Sequence, residues 1–151
     1  MSVSLDAWWA NRWIVQHATT IEEIADAFAL VDRDLDDAAV PRLSADWRLG
    51  ISYNAALQLA TLALAASGYR PGRERAHERA ILSLRYTVGI SQTEVDLLDA
   101  IRRKRNQISY ERAGTTSDAA AQELYHLVVS LRGEVVRWLE THHKALSPSG
   151  R

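Results

Sequence analysis

From Thr20 to His142 the apolar residues return at steps of three and four, and no strand-like alternation competes with them. That spacing restricts the chain to amphipathic helices. Ile21, Ile24, Phe28, Val31 and Leu35 form one stripe, and His77, Ile81, Leu84 and Val88 form a second, closed by Gly89. A third, sustained stripe runs through Leu124, Val128, Leu131, Val135, Trp138 and His142. A short Trp-rich opening places Leu5, Trp9 and Trp13 at steps of four, as core or interface anchors of a first helix.

Start and stop signals divide the stripes. Thr20 with Glu23 and Ser91 with Glu94 read as capping boxes, and Ser44 reads as the N-cap of a central helix that stops at Gly68. Tyr69-Arg70-Pro71-Gly72 is a turn signal, and Gly114-Thr115-Thr116-Ser117 a loop. The expected fold is all-α: an antiparallel four-helix bundle over residues 44–146, with four long helices after Ser44. Residues 1–43 add a helical pair packed on the bundle, and residues 147–151 a disordered tail, all within one domain.

Length and composition agree with this. A chain of 151 residues can bury a substantial core, and 47% apolar with 25% charged residues is ordinary for a globular domain. The net charge of −1 excludes general polycation affinity, so any nucleic-acid binding must come from a local patch. The absence of cysteine excludes disulfides and thiolate metal sites and fits a reducing cytoplasm. The first residues offer neither a basic nor an apolar leader region, so no secretory signal is expected. Residues 51–66 are rich in Ala and Leu, but Ser52, Asn54, Gln58 and Thr61 interrupt them; the run reads as a buried helix, not a membrane span.

One residue breaks the pattern. Leu98, Ile101, Arg105, Ile108 and Arg112 share a helical face, which puts a guanidinium between two isoleucines. A desolvated guanidinium needs a partner. Either the stripe opens onto a polar cleft or subunit interface at Arg105, or Arg105 meets an acid from another helix. Arg102, Asn106, Ser109 and Tyr110 occupy the adjoining face, where a cation, an amide and hydroxyls could meet a phosphate. A second basic stretch runs from Arg70 to Arg79. A merely solvated basic face is the competing account.

Other chemistries find less support. Glu74-Arg75-Ala76-His77 and Glu123-Leu124-Tyr125-His126 each set a carboxylate and an imidazole on one helical face, as in di-iron bundles. The helix preceding each pair lacks the further inward Glu, so neither metal nor cofactor is expected, and His77 reads as a hydrogen-bonded core residue. No nucleophile elbow, phosphate-cradling glycine loop or zinc-protease motif occurs.

The segment Arg105-Asn106-Gln107-Ile108-Ser109-Tyr110 resembles the Arg-Asn-x-x-x-His motif of HEPN domains. These are four- to five-helix bundles of prokaryotic toxin–antitoxin and defence systems. The Ala-rich central helix, the Ala-Ser-Gly-Tyr-Arg link, the helix with His77 and the long last helix extend the resemblance from Asp46 to Lys144. It implies a homodimer whose two motifs face a shared cleft and act on RNA without a metal. Arg105 and Tyr110 would then be the catalytic positions, and Arg102, Asn106 and Ser109 binding residues.

Tyr110 stands where the family has histidine. A phenol near pKa ~10 is a poor base at pH 7, so the resemblance implies binding of RNA or nucleotide phosphate with weak or absent catalysis. His126 or His77 would substitute only if the fold brings one within reach. The alternatives are an active metal-independent ribonuclease toxin and a non-catalytic module partnered with a nucleotidyltransferase-like antitoxin.

Overall fold

A computed structural model describes residues 4–108 and 116–148 of the chain, with no side-chain description for residues 106–108. The fold is an all-α helical bundle, joined by one small two-stranded sheet. Its elements in order are α1 (Leu5–Ala10), β1 (Ile14–Gln16), α2 (Ile21–Ala38), α3 (Ala45–Ala66), β2 (Tyr69–Pro71), α4 (Ala76–Ser83), α5 (Gln92–Ile108) and α6 (Asp118–His142). A 3₁₀ turn at Lys144–Leu146 follows.

Local capping fixes where the helices begin. The hydroxyls of Thr20, Ser44, Ser91 and Ser117 each accept from the backbone N–H three residues on, at 3.0–3.2 Å. At Ser91 the box is reciprocal, since the Ser91 N–H donates to Glu94 Oε1 at 3.3 Å. At Thr20 it is half formed, because the Glu23 carboxylate turns instead to His17 Nε2 at 2.8 Å.

α3 is the axis of the bundle. It is apolar on nearly every side, and α2, α6, α4 and α5 all pack against it. It is also long and apolar enough to cross a membrane, but 72% of its most apolar window is buried within the fold. Its alanines let neighbours approach closely, and Ile24, Phe28, Val31, Leu98, Leu124, Val128 and Val135 complete the same core. α2 is therefore a full member of the bundle rather than an addition to it. Only α1 stands apart, with Trp8 in a small second cluster beside Ile14 and Leu64.

Several expectations need correction. The opening helix stops at Ala10, Arg12 takes a positive φ of 64°, and Trp13 leads into a strand. Trp8, not Trp9, is the buried anchor, and Trp9 is exposed. Tyr69–Pro71 is a strand rather than a turn, paired antiparallel to β1 with Val15 opposite Arg70. Gly68, at φ 95°, reverses the chain after α3, and its carbonyl accepts from His17 N–H at 2.8 Å. Strands of three residues are too short to show an alternation.

The helix after Arg75 is also shorter than its stripe. α4 ends at Ser83, where Ser83 Oγ donates to the Ala80 carbonyl at 2.7 Å and the Tyr86 N–H closes a tight turn onto the Ser83 carbonyl at 2.8 Å. Three long helices follow Ser44, not four. In α6 the buried stripe continues to Leu139, leaving His142 exposed and Trp138 partly so. Ser147, expected in a disordered tail, is fully buried beneath the 3₁₀ turn.

Candidate functional site

The apolar stripe of α5 changes character along its length. Val95 and Leu98 are buried against the core, Ile101 is partly buried, and the next position is Arg105. Its guanidinium lies over the ring of Tyr53 on α3, with Cζ 5.4 Å from the ring centre. Gly50, one turn earlier on α3, lies beside it, and a methyl there would meet Arg105 Nε at an ordinary contact distance of 3.6 Å. The polar cleft of the first account of this misplaced cation is present here. Arg105 lines a cavity of about 360 Å³ between α3, α5 and the start of α4.

Arg102 lies one turn before it on α5. Its Nε donates to Asp99 Oδ1 at 2.9 Å, while a terminal nitrogen faces Glu78 on α4 at 3.5 Å. Glu78 also faces Arg75 at 3.9 Å. Both contacts of Glu78 are longer than a charge-assisted hydrogen bond at its usual 2.7–2.9 Å. Glu78 therefore holds these two guanidinium groups only loosely.

The third wall comes from the second basic stretch. Arg73, Arg75 and His77 all line the cavity. Arg75 is the N-cap of α4 in a left-handed conformation, φ 52° and ψ 37°, and no side chain caps that helix. A non-glycine residue held there costs about 1 kcal/mol, which marks a constrained backbone. The result is a helix N-terminus whose positive end opens on the same cavity as the arginines. Among the described residues the lining holds four guanidinium groups, one imidazole and one carboxylate, Glu78.

Tyr53 lines the cavity from α3 and is 1% exposed. Among the described residues its hydroxyl has no hydrogen-bond partner. Burial raises the phenol's pKa above its ordinary 10.0, Arg102 and Arg105 pull it back, and Asp99 adds to the rise. At neutral pH the group is thus a proton donor.

Of the residues expected to form a site, Arg102 and Arg105 share this cavity. Asn106 continues α5, but its side chain lies outside the described residues, as do Ser109 and Tyr110 altogether. His77, expected in the core, is exposed at the cavity's edge, whereas His126 is on an exposed face of α6, bonded to Gln122. The two Glu-x-x-His pairs do not converge. Glu74 precedes α4 and is exposed, and Glu123 is exposed on α6. Tyr53, Gly50 and Glu78 were not singled out by the sequence, although the basic stretch around Arg75 was.

The arrangement suits an oxyanion: several cations, uncapped helix amides and a neutral hydroxyl donor surround one concave space. Comparison with family models, curated proteins and solved structures finds no match for this chain.

Proposed function

We propose that the protein is a HEPN-like homodimer that binds RNA or nucleotide phosphate through the cavity bounded by Arg102, Arg105 and the start of α4, in a prokaryotic toxin–antitoxin or defence setting. One observation carries this reading. Two basic stretches far apart in sequence, Arg102–Arg105 and Arg73–Arg75, converge on a single cavity of about 360 Å³ that also receives an uncapped helix N-terminus. Solvated basic faces have no reason to meet, whereas a phosphate site requires it. Binding without turnover rests on Tyr110, which stands where the family has histidine, a phenol being a poor base at pH 7.

A second reading rests on His77. It shares the cavity with Arg102 and Arg105, so an imidazole lies at the proposed phosphate site. That favours metal-independent RNA cleavage as the alternative.

Both readings meet one experiment: labelled RNA incubated in EDTA with wild type, Arg105→Ala and His77→Ala. Salt-sensitive retention of intact RNA, weakened roughly tenfold or more by Arg105→Ala, is the expected outcome. Cleavage lost in both variants would establish the nuclease instead. Light scattering tests the dimer, and a strict monomer would remove that part of the proposal.

A further inference from the structure

The cationic cavity has a neighbour at the end of the small sheet. The Gly72 N–H donates to the Trp13 carbonyl at 2.9 Å, and Arg73, the next residue, lines the cavity. A Cβ on Gly72 would meet the Arg12 and Trp13 carbonyls at 3.1 and 3.3 Å. The missing side chain therefore lets the Arg12–Trp13 corner close on the end of β2.

Trp13 is the unexplained residue of that corner. Trp8 and Ile14 already anchor the segment in the small core beside Leu64, yet Trp13 is 37% exposed and Trp9 48%. Rings of this size left in water forgo much of their burial energy. Trp13 is nonetheless held in place: Trp8 meets it edge-on with ring centres 5.6 Å apart, and Arg79 of α4 lies over it with Cζ 4.8 Å from the ring centre. Arg70 shares its face of the sheet, since Val15 is opposite Arg70 and Ile14 turns into the core. Arg12 and Arg75 are the non-glycine residues of positive φ among the described residues. One stands beside Trp13 and the other in the cavity wall, where such backbone strain marks a functional surface.

The surroundings narrow the partner. Among the described residues Arg12, Arg70, Arg73 and Arg79 form no ion pair, and the neighbouring carboxylates Asp6 and Glu74 pair with none of them. A fixed aromatic ring among guanidinium groups is the composition of a surface on which nucleic-acid bases stack. An anionic membrane also attracts cations and tryptophan, but it requires apolar side chains to insert. In residues 4–16 and 69–83 the large apolar side chains that are exposed are Trp9 and Trp13 alone. Continuity with the cavity through Arg73 also favours a chain of phosphates over a flat surface.

Building on the phosphate-binding reading above, we propose that the Arg12–Trp13 corner is a base-stacking subsite for single-stranded RNA. A nucleotide adjoining the one whose phosphate the cavity holds lays its base on Trp13, and its backbone passes Arg70 and Arg73. Every base has a π-face, so the subsite tolerates any sequence. It selects strand state instead, because bases inside a duplex are stacked on one another and closed to it. The N-terminal segment, outside the stretch that resembles HEPN domains, thereby contributes to the site.

The test is fluorescence anisotropy with labelled RNAs of about eight nucleotides. The probes are oligouridylate, oligoadenylate, an abasic ribose-phosphate chain of equal length, and a duplex. The proteins are wild type, Trp13→Leu, Trp13→Phe and Arg105→Ala, each measured well below its melting midpoint. Wild type is expected to bind the two single strands alike, roughly five- to a hundredfold more tightly than the abasic chain. Trp13→Leu keeps an apolar contact with Trp8 but no stacking face, and should bind all three alike. Trp13→Phe should retain the preference for bases. A merely structural Trp13 would not make affinity depend on the presence of bases.

Wild type that binds the abasic chain as tightly as RNA, or the duplex as tightly as the single strand, overturns the inference. So does a base preference that Trp13→Leu leaves unchanged. In each case, weaker RNA binding by Arg105→Ala spares the phosphate-binding reading. Sedimentation with phosphatidylserine vesicles supplies the competing outcome: Trp13-dependent vesicle binding without base preference names a membrane surface and overturns the RNA subsite. Failure of every RNA to bind, with Arg105→Ala without effect, overturns the underlying reading itself.

Discussion

Two neighbouring residues of α3, Tyr53 and Asn54, open onto two polar centres built on opposite principles. On the Asn54 side, Asp34 of α2 is 5% exposed and fully bonded. Its Oδ1 accepts from Arg33 Nε and Nη2 at 3.2 and 3.0 Å, and its Oδ2 from Asn54 and Gln58 at 2.9 Å each. On the Tyr53 side, Arg75 and Arg102 face the carboxylate of Glu78 across contacts of 3.9 and 3.5 Å, beside a hydroxyl without a partner among the described residues. The first centre is closed and needs nothing further, so it fixes how α2 sits on α3. The second is open, and open polar groups are how a fold holds binding capacity in reserve.

Breaking the closed centre should have the largest effect on stability. Asp34→Ala strips Asn54 and Gln58 of their shared acceptor inside a packed helix pair. A loss of about 3 kcal/mol is expected, because removing one partner from a buried network leaves the others desolvated. For a chain of this size that lowers the melting temperature by roughly 10 °C. Phosphate affinity, measured well below the new midpoint, should be unchanged. A large loss of affinity in a folded Asp34→Ala protein would show that the two sides of α3 are not independent.

Arg105→Ala reverses the pattern. It removes the guanidinium from the open centre and its contact with the Tyr53 ring, worth about 1 kcal/mol of stability at a half-buried position. Its main effect is on binding, about 2 kcal/mol for a charged hydrogen-bond donor to phosphate. The slope of log affinity against log salt should fall by about one. A normal slope would mean that Arg105 does not touch the phosphate.

What could be read from the sequence divides along the same line of local against remote causes. The caps at Thr20, Ser44 and Ser91 were legible because a side-chain oxygen meets a backbone N–H three residues on, with no help from the rest of the fold. Arg105 was legible as a cation out of register with its stripe. Tyr53 was not, because its burial and its missing partner depend on where α4 and α5 lie against α3. The left-handed Arg75 was also invisible, since no glycine or asparagine marks it. The β1–β2 pair escaped because three residues carry too little pattern, and Trp9 because the first helix ends before its apparent period does.

A smaller effect separates the open centre from a merely solvated basic face. Glu78 faces both Arg75 and Arg102 and so competes with an incoming anion for their donors. Glu78→Gln removes that competitor while keeping the side chain's shape. Phosphate binding is expected to tighten a few-fold, about 0.5–1 kcal/mol, the range of partly exposed ion pairs. Stability should move little. If Glu78→Gln weakens binding instead, Glu78 orients the arginines more than it competes for them.

The smallest effect is a matter of pH. Because burial raises the Tyr53 phenol above 10.0, the folded protein holds this proton more tightly than the unfolded chain does. Its contribution is therefore fully present below pH 10 and is lost as pH rises through 10 toward the folded value. Unfolding by urea at a series of pH values should show a steeper alkaline loss of stability in wild type than in Tyr53→Phe, by a few tenths of a kcal/mol at the start of that window. At pH 7 the two titration curves run parallel, so any difference there belongs to the hydroxyl's missing hydrogen bond and not to its ionisation. A phosphate dianion bound beside the phenol raises it further, so saturating phosphate should extend the alkaline loss of stability in wild type to higher pH without changing the shape of that limb in Tyr53→Phe. Identical alkaline limbs with and without phosphate would place the ligand away from Tyr53 and return the open centre to unassigned charge.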